Sequence, residues 1–242
     1  MNNFFISEQP SASKKKTLVA ALLNKSLKTL RLGCYARPLP NPVVDMTTVE
    51  QRINYFHLLD AVIAHQVRGD VVELGCFTGQ CALLFQRVVQ LYQADKTLHL
   101  FDSFETQFTL KGSVEEELKR NFKEEGLPLP VLHKGYFQDT LPTQLPGQIA
   151  FVHIDCGFGG DAQQHKSVVQ YCLEEVYPKM SVGAVCVLMD YHDRTAPGTG
   201  YDANPGVKMA CDEFLATKPE QMVSLYGNHY SHGFFRKAGA PG

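Results

Sequence analysis

Apolar positions along the chain fall into two alternating rhythms. Dense short runs at Asp70–Cys76 (DVVELGC), Thr97–Phe101 (TLHLF), Ile149–Ile154 (IAFVHI) and Gly183–Met189 (GAVCVLM) read as buried strands. Between them, apolar residues recur every three or four positions. That spacing predicts helices over Thr48–Val67, Gly79–Tyr92, Gln164–Tyr177 and Val207–Leu215. In the second of these, Cys81, Leu84, Phe85, Val88 and Tyr92 share one stripe. A charged helical stretch, Val114–Glu125, leads to a short strand at Val131–His133, and two more short strands close the chain at Met222–Tyr226 and Gly233–Arg236. Strands alternating with helices specify an α/β domain with a parallel sheet covered on both faces. No internal repeat is visible.

Upstream of this pattern the chain has another character. Leu18, Val19, Leu22, Leu23, Leu27 and Leu30 fall at helical spacing beside Lys25, Lys28 and Arg31, and Gln9–Val44 holds seven Lys or Arg and no acid. Residues 1–45 therefore read as a basic helical extension, and 46–242 as the main domain. The extension serves as a packing helix with a solvated basic face, a dimer arm in a homo-oligomer, or a lid that meets an anionic ligand. Pro38, Pro40 and Pro42 break the helix into a hinge-like connection.

Composition narrows the class. With 44% apolar and 20% charged residues among 242, there is material for a large core. A net charge of -2 argues against a nucleic-acid partner. No apolar run reaches the ~20 residues of a membrane span, and residues 1–16 lack the pattern of a signal peptide. The seven cysteines are scattered without a C-x-x-C pair, which disfavours a zinc knuckle or a disulfide framework and suggests a reducing, cytoplasmic setting.

Chemistry should gather at the carboxyl ends of the strands, where open α/β sheets bind ligands. Glu73, Asp102, Asp155 and Asp190 lie in or just after four strands, and carboxylates crowded on one edge need a ligand, cation or donor to offset their repulsion. The first strand-to-helix turn is E-L-G-C-F-T-G, Glu73 to Gly79. Gly75 and Gly79 admit close backbone approach, and Thr78 offers a hydroxyl near the helix start. The dinucleotide fingerprint would need glycines where Phe77 and Gln80 stand, so a nicotinamide oxidoreductase is disfavoured. Such a turn suits an amino-acid tail, and Asp102 suits a ribose.

The segments VVELGCFTGQCALLF, LHLFDSFE, KGYFQDTLP, FVHIDCG, GAVCVLMDYHD, NPGVKMACDEF and HGFFRKA together resemble the TylF/MycF-type (macrocin O-methyltransferase-like) family, from about Val71 to Lys237. The family comprises S-adenosylmethionine-dependent class I O-methyltransferases. The resemblance implies a Rossmann-like seven-stranded sheet with an antiparallel last strand, S-adenosylmethionine across its carboxyl edge, and a small-molecule hydroxyl, on a sugar or secondary metabolite, as acceptor. Glu73, Gly75 and Gly79 would border the methionine end, with Phe77 and Thr78 of the same turn among the cofactor-binding residues. Asp102 and Ser103 would hold the ribose. Phe137, Gln138 and Asp139 would border the adenine, and Asp155 would face both cofactor and reacting centre.

Two departures stand out. Gly157 replaces the second acid of the family's h-I-D-x-D motif, and Met189 the first acid of its D-D-Y motif. Asp155 and Asp190 still meet the minimum for Mg²⁺, with Asp193 or His192 assisting, so the metal stays an open question. The loss also raises the alternative of a non-catalytic or repurposed nucleoside-binding relative. For a general base the candidates are Asp155, Asp190 and His192, in that order. His153 reads as a hydrogen-bonded core histidine, and His229 and His232 as surface. The loop with Gly157, Gly159 and Gly160, and the segment Thr195–Gly206, are expected near the acceptor.

Overall fold

The computed structural model describes residues 18–32, 46–108, 110–156, 160–195, 200–228 and 230–239. Five parallel strands come first: β1 (Asp70–Leu74), β2 (Leu98–Asp102), β3 (Val131–Lys134), β4 (Ile149–Ile154) and β5 (Met180–Met189). β6 (Val223–Leu225) and β7 (His232–Arg236) complete a seven-stranded sheet in the order β3-β2-β1-β4-β5-β7-β6. β7 runs antiparallel to both neighbours, as the resemblance implied. The order reverses direction beside β1, so a ligand crevice opens where the chain leaves β1 and β4.

The first helix, α1 (Leu18–Thr29), is exposed. Helices α2 (Val49–Ala64), α3 (Gln80–Leu91), α4 (Val114–Glu125), α5 (Phe137–Gln144), α6 (Ala162–Val176) and α7 (Gly206–Leu215) cover both faces. A short 3₁₀ turn, Tyr177–Lys179, joins α6 to β5. β4 is buried throughout, since parallel strands under helices have no solvent face. α2 starts where Thr48 and Gln51 form a reciprocal cap, each side chain accepting from the other's backbone N–H. α4 places Val114, Leu118 and Phe122 on one buried stripe and carries three glutamates in its first turn, which favour the helix's positive end.

Three expectations need correction. β5 begins at Met180 rather than Gly183, so it is longer than its apolar run suggests. The helix α5 was not anticipated: Pro142 lies inside it and Gly135 precedes it, signals that read as loop. His232, expected at the surface, is fully buried on β7, where its Nε2 lies 3.1 Å from the Asn54 amide and its ring meets Tyr55 edge-on. His229, Gly157, Gly159 and the proline connection at 38–42 lie outside the described residues. The helix of the basic extension is α1, with Leu18, Val19, Leu22 and Leu23 exposed. No described helix is long and apolar enough to cross a membrane.

Candidate active site

The β1–α3 turn is built around one carboxylate. Asp102, at the end of β2, accepts the backbone N–H groups of Cys76 and Phe77 on Oδ2, both at 2.9 Å, and that of Phe104 on Oδ1 at 2.7 Å. A carboxylate has about four acceptor sites, so roughly one stays open for a hydroxyl. Asp102 thus holds the turn in shape first, a role the spacing of the sequence did not suggest. Phe77 stands at φ 44° and Gly79 at φ 82°. Phe77 adopts the left-handed backbone a glycine would take more readily, and its ring packs edge-on against Phe108.

This turn forms one wall of a cavity of about 500 Å³, within the usual range for a small-molecule or cofactor site. Glu73, Gly75, Phe77, Thr78, Asp102, Ser103, Phe137, Gln138 and Asp155 all line it. Gly79, Asp139, Asp190 and His192 are not among the lining residues. Asp190 is buried with φ 61°, and its Oδ2 accepts from the Asn204 amide at 2.6 Å. His192 Nδ1 lies 3.0 Å from the Ser231 hydroxyl. The described part of Thr195–Gly206 does not reach the cavity either.

The opposite wall was not foreseen. It comes from the start of α2, through Met46, Thr47, Gln51 and Tyr55, together with Met189. Gln51 Nε2 and the Tyr55 hydroxyl each donate to the Met189 sulfur at 3.3 Å. Thr48 and Asn54 tie the same helix to the backbone of Gly227 and Tyr226. No sequence signal marked this wall, since Gln51 is one of several polar residues in the helix, beside Glu50, Arg52, Asn54, His57 and Asp60.

Electrostatics single out Asp155. Desolvation by the surrounding protein is the largest influence on its carboxyl and pushes it up to about 7, outweighing the neighbouring His153. A carboxyl balanced near neutrality, open to a cavity, can hold or release a proton under ordinary conditions. Burial also pushes Glu73 up, and it lowers His153 to about 4, leaving that imidazole neutral. Next to Asp155, Cys156 lines the cavity with its thiol lowered to about 6, first by a hydrogen bond with Cys172 and then, against burial, by His165.

For an adenosyl amino-acid cofactor, the Gln80 amide is buried at the cavity with neither Oε1 nor Nε2 partnered among the described residues, which suits a zwitterionic tail. The open acceptor site of Asp102 suits a ribose hydroxyl. For Mg²⁺ the fit fails. Among the described residues, no three ligating His, Cys, Asp or Glu atoms gather around Asp155 and Asp190. Asp190 is engaged by Asn204, and a thioether stands at position 189.

Residues 24–198 match the macrocin-O-methyltransferase (TylF) family. The chain is 27% identical over 177 residues to demethyldecarbamoylnovobiocin O-methyltransferase of Streptomyces niveus, covering 64% of this chain and 65% of that protein. It is 23% identical, with the same coverage, to 8-demethyl-8-(2,3-dimethoxy-alpha-L-rhamnosyl)-tetracenomycin-C 4'-O-methyltransferase of Streptomyces olivaceus. The matched region thus spans just under two thirds of these relatives. Among solved structures, the O-methyltransferase NovP superposes with a TM-score of 0.66 at 22% identity, covering 92% of this chain and 99% of that one. TomG from Streptomyces achromogenes, solved in complex with SAM, gives 0.56 at 17% identity, covering 93% and 92%. The fold is that of the class I O-methyltransferases.

Proposed function

The chain belongs to the macrocin-O-methyltransferase (TylF) family, and from that premise we propose that it transfers the methyl group of S-adenosylmethionine to a hydroxyl of a small molecule, a sugar or other secondary metabolite. The observation that carries the reading is that the Asp102-braced turn and Asp155 line the same cavity. The names of the two curated relatives, one a methyltransferase of a rhamnosyl compound, support the acceptor class.

Bound S-adenosylmethionine supplies an electrophilic methyl group on a sulfonium. The residues of the chain do the rest. Gly75 and the braced turn let backbone approach the methionine portion, and Asp102 with Ser103 receives the ribose. Phe137 and Gln138 border the base. Asp155 orients the acceptor hydroxyl and takes its proton as the new carbon–oxygen bond forms. Alignment accounts for several kcal/mol of barrier lowering in such reactions, and a positioned base for ~10²–10⁴-fold in rate. Magnesium has no part in this reading: among the described residues no third ligating group joins Asp155 and Asp190, and Asn204 engages Asp190.

Met189 favours a second reading, a relative that binds the nucleoside without turning it over. Calorimetry with S-adenosylhomocysteine followed by mass spectrometry of a panel of hydroxylated sugars and aglycones, with and without chelator, separates the two. Micromolar binding plus chelator-insensitive methylation supports transfer by Asp155. Binding without methylation of any acceptor supports the second reading, and absence of binding overturns both. The described cysteines are free, which suits a cytoplasmic setting. The exposed leucines of α1 suit a homo-oligomer, which sedimentation would reveal.

A further inference from the structure

On the face of the sheet under α2 lies a cluster of which only Glu73 was expected beside the cofactor. Glu73 on β1 sits directly opposite His153 on β4, so both side chains leave the same face, and Oε1 lies 2.9 Å from Nδ1. Cys81, in the first turn of α3, completes the group: one ligand atom from each of the three residues lies within 4.8 Å of the others. Glu73 is 1% exposed and His153 is fully buried. Glu73 Oε2 and His153 Nε2 have no hydrogen-bond partner among the described residues. Orphaned polar atoms at such depth cost free energy unless something binds them.

We propose that Glu73, Cys81 and His153 form a binding site for a borderline-soft divalent cation of the zinc type, separate from the Asp155–Asp190 pair. The donor set decides the class of ion. A thiolate and an imidazole beside one carboxylate select zinc-like ions and exclude Mg²⁺ and Ca²⁺, which want oxygen. Three protein ligands with one position left over is the pattern of open zinc sites. Glu73 and Cys81 both line the cavity, so the remaining position would face it. Thr47 Oγ1, 3.5 Å from the Cys81 sulfur, supplies the kind of outer partner that orients a ligand. On binding, the Cys81 thiol proton and any proton on Glu73 leave to solvent. None of this rests on the methyl-transfer reading.

The test uses metal-stripped full-length protein, kept reduced with a phosphine, titrated with Co²⁺ and then competed with Zn²⁺. The expected result is a saturable thiolate-to-cobalt charge-transfer band in the near ultraviolet, abolished by Zn²⁺ and absent in Cys81→Ser. His153→Gln should weaken binding by at least about tenfold, no less than losses of outer partners do. Cys156→Ser and Asp155→Asn should keep the band. Zn²⁺ should raise the melting temperature of the wild type and not that of Cys81→Ser. A wild type without the band overturns the proposal, as does a band that survives Cys81→Ser or depends on Cys156. Circular dichroism checks that each variant folds, and S-adenosylhomocysteine binding, measured in parallel, reports on the cofactor site separately.

Discussion

Gly75 and Asp155 are pressed together at the point where β1 and β4 end. A Cβ on Gly75 would lie 1.9 Å from the Asp155 carbonyl oxygen, and Gly75 itself stands at φ 82°. The opening of the first turn and the position of the proposed base are therefore set by one backbone contact. Gly75→Ala adds both left-handed strain and a collision with backbone that has nowhere to yield. It should destabilise the fold by about 3 kcal/mol or more and abolish S-adenosylhomocysteine binding. Thermal denaturation and calorimetry check both, and a variant with wild-type melting temperature would contradict the packing described.

The three amide hydrogen bonds to Asp102 lead to a second expectation. Replacing it with alanine leaves the N–H groups of Cys76, Phe77 and Phe104 without their shared acceptor. Hydrogen bonds to a charged group contribute roughly 1.5–3 kcal/mol each, part of which goes into shaping the turn. Asp102→Ala should weaken S-adenosylhomocysteine binding by more than about tenfold, equivalent to about 1.4 kcal/mol, and also lower the melting temperature. Unchanged affinity would remove Asp102 from the ribose role.

The strands and this turn were legible because a buried parallel strand is written as a short, dense apolar run, and because Gly75 and Gly79 punctuate the turn. The other half of the cavity was not. Gln51 and Tyr55 reach Met189, 138 and 134 residues away in the chain, and no local pattern encodes that pairing. His232 looked like surface because the last strand was read as starting at Gly233, which left His232 flanking the hairpin; the strand starts at His232, and its ring reaches Asn54 of α2. Asp190 occupies the strand-end position that the row of acids suggested, yet its left-handed backbone and its bond to Asn204 accompany a place outside the cavity wall. Side-chain direction after a strand end depends on one or two dihedral angles, which spacing alone does not reveal.

Asp155→Asn keeps the shape of the carboxyl and removes its ability to take a proton. Turnover should fall by about 10²–10⁴-fold, while S-adenosylhomocysteine affinity stays within a few-fold of wild type. Single-turnover methylation and calorimetry on the same preparation provide the check. Near-normal turnover would exclude Asp155 as the base, and a parallel collapse of affinity would assign it to cofactor binding instead.

Burial of His232 makes stability depend on pH in a defined direction. Desolvation, followed by the neighbouring His153, lowers its folded-state value to about 3. The groups around it are the Tyr55 ring and the Asn54 amide from α2, with His153 on the same sheet face. In the unfolded chain an imidazole titrates near 6.5. Between those values the unfolded state binds the proton and the folded state does not, so stability rises with pH. The contribution of His232 is complete above about 6.5 and is lost progressively as the pH falls toward 3. His232→Phe keeps a ring against Tyr55 and gives up the Asn54 contact, so it should be less stable at pH 7. Its unfolding free energy should then decline less steeply than that of the wild type as the pH drops from 7 to 5. One imidazole accounts for up to about 1.4 kcal/mol per pH unit of that difference in slope. Denaturant unfolding of both proteins across this range measures it, and parallel pH profiles would show that His232 is protonated in the folded state.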